Sequence, residues 1–171
     1  MTQGPSNEWS RLSTEQRQTI SAHFGVPPVP IGKIASDLGL VIKVSSLAPG
    51  ISGEIRPDPM GAKSGFIIRV NRDEAKTRQR FTIAHEIAHF LLHRHLIKDG
   101  LSDDVLYRST LSNRLEAEAN RLAADLLMPW NLINKWMEQF PGKSIDAYSD
   151  PLADFLQVSK VAMEVRLGNN G

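Results

Sequence analysis

The stretch that decides the fold of this chain is RFTIAHEIAHFLLH, residues 80–93. It carries two histidines, His85 and His89, four residues apart, and Glu86 directly follows the first. In a helix, side chains four residues apart lie on one face, so both imidazoles can be directed at the same point. Neutral imidazole is a common zinc ligand, and a glutamate between two such histidines can act as a general base. The stretch therefore predicts a metal-binding helix.

Size and charge narrow the class of protein. The chain has 171 residues, 41% of them hydrophobic, which suits one globular domain. We expect a polar lead-in over residues 1–12 and a single domain over residues 13–168. The net charge is +1, from 20 Lys and Arg against 19 Asp and Glu. This balance gives no general reason to expect direct nucleic acid binding or a membrane partner.

The absence of cysteine from the sequence limits the metal chemistry. Disulfides and thiolate sites are excluded, so any metal is held by histidines and carboxylates. The N-terminal residues lack the basic-then-apolar pattern of a secretory signal, and no apolar run approaches membrane-spanning length. The expected location is the cytoplasm.

Hydrophobic patterning predicts an α+β order of elements. The predicted elements are helices 13–24 and 31–38, strands 40–44, 52–56 and 65–71, helices 73–93, 113–128 and 132–140, and short helices 151–156 and 160–167. Ser13 with Gln16, and Asn113 with Glu116, have the spacing of capping boxes. Residues 95–111 are expected to be an irregular polar connection. A small sheet thus precedes a helical half.

A third metal ligand is expected from the second strong helix, since catalytic zinc sites usually have three protein ligands and a water. Glu116 and Asn120 lie four residues apart on one face of that helix. Glu116 would complete a His-His-Glu set, and Asn120 would hold a ligand imidazole through its other ring nitrogen. Glu118 points roughly 160° away from Glu116 on a 3.6-residue helix and is less suited as a ligand.

This ligand set predicts amide hydrolysis without a covalent intermediate. Zinc lowers the pKa of its bound water to about 7 in such sites, and the metal polarises the scissile carbonyl. Glu86 would take a proton from that water and deliver it to the leaving amine. The alternative is an ordinary helix with a solvated polar stripe. The small residues Ala84 and Ala88 and the otherwise apolar flanks favour the metal site.

Three further histidine and tyrosine positions are candidates for supporting roles. His93 lies one turn beyond His89 and is a candidate outer-sphere residue; the alternative is a structural histidine at a helix C-terminus, where positive charge suits the helix dipole. Tyr107 and His95 are possible oxyanion stabilisers, although spacing does not place either of them.

Two segments are candidates for binding a macromolecule. Phe66, Ile67 and Ile68 belong to a strand that would pair with an extended substrate if it lies at the sheet edge. Residues 150–168 loosely suggest helix-turn-helix, but the second helix offers only Lys160 and Arg166 as basic residues. Packing of this tail against the rest of the domain is therefore the favoured interpretation.

The two helical motifs, residues 80–93 and 116–129, resemble the signature of ImmA/IrrE-type metallo-endopeptidases. The resemblance extends over roughly residues 25–168. It implies a zincin-like metallopeptidase domain, with a small, mostly antiparallel sheet and an active-site helix packed among several helices. It implies one zinc ion held by His85, His89 and Glu116, with Glu86 as the catalytic residue.

The same resemblance implies a substrate class. Members of the family typically cleave a partner repressor of the helix-turn-helix type and so induce mobile elements, prophages or stress genes. We therefore expect a protein substrate, a DNA-binding repressor, with the trigger coming from a partner, from expression or from another signal. The alternative is a non-proteolytic regulatory module that binds and sequesters a repressor or toxin.

Overall fold

A computed structural model describes residues 3–98 and 110–168 of the chain. Within these residues, eight helices and three strands follow one another. They are α1 (Asn7–Ser10), α2 (Thr14–Ser21), α3 (Ile31–Asp37), β1 (Val41–Ser45), β2 (Gly53–Pro57), β3 (Phe66–Asn71), α4 (Lys76–Lys98), α5 (Thr110–Leu127), α6 (Trp130–Glu138), α7 (Ile145–Leu156) and α8 (Lys160–Leu167). The predicted α+β class is confirmed. No helix in the described ranges is long and apolar enough to cross a membrane.

The three strands form a mixed sheet in the order β1-β3-β2. β2 and β3 are antiparallel, whereas β1 and β3 are parallel. The expectation of a mostly antiparallel sheet is therefore correct for one of the two strand pairs. The chain reverses after β2, so β3 runs antiparallel to β2, but β3 lies between β1 and β2 and runs parallel to β1. The middle position pairs both edges of β3, and the face that carries Ile68 and Val70, which are 0% exposed, is buried in the core.

Helix α4 crosses the sheet and packs along α5. Small residues line the buried sides of both helices: Ala84 and Ala88 on α4, and Ala119 and Ala123 on α5, are all 0% exposed. Small side chains let helix axes approach closely, which brings the polar residues beside them within reach of one another. This helix pair positions the candidate site.

The approach of β2 to α4 requires a glycine. A Cβ added to Gly53 would lie 2.4 Å from Cγ2 of Thr82 on α4 and 2.8 Å from the carbonyl oxygen of Arg69 on β3. Side-chain carbons do not approach other atoms so closely, so only glycine allows β2 to pack in this place. The sheet and the motif helix are thus held together at the beginning of β2.

Of the two capping boxes that the sequence predicts, one is present in the structure and the other is not. Ser13 and Gln16 form the predicted capping box at α2, since each side chain bonds the other's backbone N–H. Asn113 does not cap a helix, because α5 already begins at Thr110 and Asn113 lies inside it. Glu116 contacts histidines of α4 instead. α4 also continues to Lys98, so residues 95–98 of the expected irregular connection are helical.

The segment from Ser6 to Leu12, within the expected lead-in, packs on the body of the domain. Its helix α1 contacts α5. Leu12 is 4% exposed, Glu8 is 5% exposed, and the ring of Trp9 stacks on that of Phe24 with centroids 5.7 Å apart. This segment therefore contributes to the same core as the residues that follow it.

The C-terminal helices also pack against the rest of the domain, in agreement with the favoured interpretation of residues 150–168. Met163 and Leu167 of α8 are buried. The Arg166 guanidinium lies 2.9 Å from the Asp125 carboxylate and donates to the carbonyl of Met128. Lys160, the other basic residue of α8, pairs with Asp150 at 3.0 Å. Both basic side chains thus have partners within the chain.

Candidate metal centre

Three side chains converge where α4 and α5 meet. The Nε2 atoms of His85 and His89 lie 3.1 Å apart, and each is 3.0 Å from an oxygen of Glu116. The two histidines are one turn apart on α4, and Glu116 comes from the facing side of α5. Among the described residues, these three form the group of potential ligands that lies close enough together to hold one ion.

The spacing of this group suits a small tetrahedral cation. Zinc–nitrogen and zinc–oxygen bonds of about 2.0–2.1 Å place tetrahedral ligand atoms about 3.3 Å apart. The observed separations of 3.0 to 3.1 Å need only a slight opening to reach that value. Two imidazoles and one carboxylate, with the fourth position left to water, are a ligand set of catalytic zinc sites.

Each of the two histidines in this group has its second ring nitrogen engaged. Nδ1 of His85 lies 2.9 Å from Oδ1 of Asn120, as the sequence analysis predicts for Asn120. Nδ1 of His89 lies 3.0 Å from Nδ1 of His93. His93 is 2% exposed and lies five residues before the end of α4, so it is not a helix-terminal histidine. Contacts of this kind fix the tautomer and direction of a ligand ring.

Beyond His93 lies a charged group centred on Glu118. Nε2 of His93 is 3.0 Å from the carboxylate of Glu118. The same carboxylate accepts from Arg11 at 2.7 Å and from Arg114 at 2.9 Å. Glu118 thus points away from the ligand group, as predicted. Its contact with Arg11 joins residues 107 positions apart and has no local signal in the sequence.

The charge states of these groups follow from their neighbours. Burial works against the Glu116 carboxylate, but hydrogen bonds with His85 and His89 outweigh it and hold the pKa of Glu116 far below its usual value. Arg11 foremost, with His93 and Arg114, lowers the pKa of Glu118 to about 2. Burial lowers the pKa of His93. At neutral pH both carboxylates are charged and His93 is neutral.

Glu86 follows the first ligand on α4, and it is 8% exposed. Its carboxylate is near enough to help raise the pKa of His85, together with Glu116 and against the effect of burial. A carboxylate beside the ligand group and shielded from bulk solvent has the placement that a general base needs.

The other predicted candidates fare differently. Phe66, Ile67 and Ile68 cannot form a substrate edge, because β3 is the central strand and is paired on both sides. The sequence pattern showed a buried strand but could not show its order in the sheet. His95 is an exposed residue of α4, and no contact with the ligand group is seen. Tyr107 lies outside the described residues.

A groove of about 520 Å³ runs beside the ligand group, between α4, α5 and α8. Its lining includes Asn120, which holds His85, and Phe81, whose ring centroid is 6.2 Å from that of His85. Val161 and Val165 of α8 contribute to the opposite side, and they are 67% and 61% exposed. The groove therefore lies next to the residues around the ligand group, and its lining combines apolar side chains with those of Arg78, Arg121 and Arg166.

Comparison with known proteins places this geometry in a family context. A sequence model of the IrrE N-terminal-like domain, Peptidase_M78, matches residues 35–168. The radiation response metalloprotease IrrE of Deinococcus radiodurans is 35% identical over 104 residues, which are 56% of this chain and 31% of that protein. Its namesake in Deinococcus deserti is 39% identical over 92 residues, 48% of this chain and 31% of that protein. The match thus spans about a third of these relatives.

One solved structure has a similar fold. It is described as a Mycobacterium tuberculosis transcriptional regulator, and it superposes with a TM-score of 0.57 at 16% sequence identity. The similar region covers 93% of this chain and 46% of that chain. At this identity the likeness concerns the fold alone.

Proposed function

The chain belongs to the IrrE N-terminal-like domain family of metallopeptidases, and from this premise we propose that it is a zinc-dependent endopeptidase that cleaves one partner protein. The observation that carries the proposal is the convergence of His85, His89 and Glu116 within 3.1 Å of one another, with Glu86 adjacent on the motif helix. A structural zinc site would have four protein ligands, whereas these three leave one position for water.

The residues divide the work of peptide hydrolysis between them. His85, His89 and Glu116 hold the ion, and Asn120 and His93 keep the two imidazoles aimed. When bound there, zinc acidifies a water and polarises the scissile carbonyl. Glu86 would serve as the general base, taking a proton from the attacking water and passing it to the amine of the leaving peptide.

The groove beside the ligands supports a polypeptide as the substrate. Its volume of about 520 Å³ and its apolar side chains suit a segment of chain with hydrophobic residues. The finer identity, a helix-turn-helix repressor of a mobile element, prophage or stress regulon, rests on the family resemblance of the two helical motifs. A cytoplasmic location belongs to the same proposal, since such a repressor acts there.

The deciding experiment compares the wild-type chain with a Glu86→Gln variant. Each protein, loaded with zinc, is incubated with purified helix-turn-helix repressors encoded in the adjacent genes, and fragments are followed by mass spectrometry. We expect one discrete cleavage by wild type, no cleavage by Glu86→Gln, and one zinc per chain in both.

The alternative function, sequestration without cleavage, gives a different result in the same experiment. Both proteins would then release the repressor from its operator equally, and no fragment would form with zinc-loaded wild type. That outcome would overturn the peptidase assignment.

A further inference from the structure

A continuous line of polar contacts runs from the metal ligands to the N-terminal segment. His89 contacts His93 through the two Nδ1 atoms at 3.0 Å, and His93 contacts Glu118 through Nε2 at 3.0 Å. Glu118 in turn accepts from Arg11 at 2.7 Å. The middle of this line is dry, since the side chains of His93 and Glu118 are 2% and 6% exposed.

The chemistry of the atoms fixes the direction of each hydrogen bond. When an ion is bound, Nε2 of His89 must present its lone pair to that ion, so the ring hydrogen is then on Nδ1. That hydrogen is donated to Nδ1 of His93, which must therefore be the unprotonated nitrogen of its ring. His93 then carries its hydrogen on Nε2 and donates it to Glu118, an ionised carboxylate that can only accept.

Building on the proposed metal site, we infer that Glu118 is a positioning residue for the metal: through His93 it fixes the tautomer and orientation of the ligand His89, with Arg11 anchoring the far end. A carboxylate that orients a ligand imidazole is a known device in zinc proteins. Here a second histidine is inserted between the two.

The anchor comes from outside the segment that matches the family model. Arg11 lies before α2, whereas the match begins at residue 35. Two further contacts hold the same segment on α5: Ser6 bonds Asp125 at 2.6 Å, and Glu8 bonds Arg121 at 2.7 Å. Of these three attachments, only the one at Arg11 contacts Glu118, which is connected to His89 through His93. The N-terminal segment therefore supports the proposed metal site through Arg11.

The test measures zinc affinity of the whole chain by competition with a chromogenic chelator, using zinc alone as the probe. Glu118→Ala leaves the Nε2 hydrogen of His93 without its acceptor, and we expect zinc affinity to fall about 10- to 100-fold. Glu118→Gln keeps an oxygen that accepts from His93, so it should retain affinity within about threefold.

Arg121→Met is the matched control. It removes the neighbouring attachment of the N-terminal segment but breaks none of the hydrogen bonds described for His93 and Glu118, so its zinc affinity should stay within about twofold of wild type. Thermal unfolding of each metal-free variant, followed by circular dichroism, establishes that the proteins compared are folded. A folded Glu118→Ala protein that binds zinc as tightly as wild type would overturn the inference.

A second readout needs no substitution. Long-range proton–nitrogen NMR spectra of the zinc-loaded wild type should show His93 protonated at Nε2 and unprotonated at Nδ1. The opposite tautomer would overturn the inference, even if Glu118→Ala failed to fold. Absence of zinc binding by wild type would defeat the proposed function and the inference with it, whereas normal binding with the opposite tautomer would defeat the inference alone.

Discussion

Helix α5 carries carboxylates on two faces, and the two faces differ in their partners. Toward α4, Glu116 contacts two imidazoles. On the other side, Glu118 contacts Arg11 of the N-terminal segment, Arg114 of the same helix and His93 of α4, and Asp125 contacts Arg166 of the C-terminal segment. A carboxylate paired with guanidinium is already neutralised, whereas Glu116, which has no guanidinium partner among the described residues, keeps its negative charge available for a cation. The side of α5 with Glu116 is the candidate metal-binding side, and the side with Glu118 and Asp125 is called the fastening side because it holds arginines. Glu118 joins the two sides through its contact with His93.

The largest effect is expected on the metal-binding side. Glu116→Ala removes one of three ligands, so the protein should no longer bind one zinc per chain and should lose cleavage altogether. Its metal-free form should remain folded, because the side chain is only partly buried. Metal analysis after gel filtration and thermal unfolding together check this. Full zinc occupancy in the variant would mean that the ligand set is wrong.

The next largest effect is expected on the fastening side, and it concerns stability. Asp125 and Arg166 have side chains 3% and 10% exposed and lie 2.9 Å apart. Asp125→Ala leaves a buried guanidinium without its partner, which should cost about 3–5 kcal/mol in the free energy of unfolding. Urea denaturation measures the loss. The fraction that remains folded should bind zinc with wild-type affinity, and a weakened site in that fraction would show that Asp125, like Glu118, helps to position the metal ligands.

A smaller effect is expected from the residue that orients His85. Asn120→Ala removes the oxygen 2.9 Å from Nδ1 of that ring. We expect zinc affinity to fall about tenfold, with little change in unfolding free energy because Asn120 is exposed. Chelator competition gives the affinity, and an unchanged value would indicate that α4 alone holds the ring.

The smallest effect is a pH dependence on the fastening side. The hydrogen bond from Arg121, above all, lowers the pKa of Glu8 from its usual 4.5 against the effect of burial. A carboxyl whose pKa is lowered by folding stabilises the protein above its unfolded pKa and loses that contribution as pH falls. The stability difference between wild type and Glu8→Gln should therefore be largest near neutral pH and shrink below about pH 4.5. Urea titrations across that range check it; a constant difference would contradict it.

The part of the site that could be predicted from sequence is the part with local spacing. His85 and His89, and Glu116 and Asn120, are pairs four residues apart, and helical geometry alone puts each pair on one face. The order of the strands in the sheet and the start of α5 could not be predicted from the sequence. The strand pattern of 66–68 does not tell a central strand from an edge strand, and Asn113 has a capping spacing although the helix begins three residues earlier.

Contacts between segments that are far apart in the sequence cannot be predicted from local spacing. The bonds from Arg11 to Glu118 and from Ser6 to Asp125 join residues more than 100 positions apart. Arginine, glutamate, serine and aspartate are residue types usually found at the surface, and nothing in their spacing indicates a partner. This is why a lead-in was expected where the structure has an attached segment.

The central claim, that α4 and α5 together form one catalytic zinc site, is tested most directly by locating the ion. A crystal of the zinc-loaded chain, with anomalous difference maps recorded on either side of the zinc edge, should show one peak. We predict that it lies about 2.0–2.2 Å from Nε2 of His85, Nε2 of His89 and a carboxylate oxygen of Glu116. A peak bound elsewhere, or four protein ligands around it, would contradict the account.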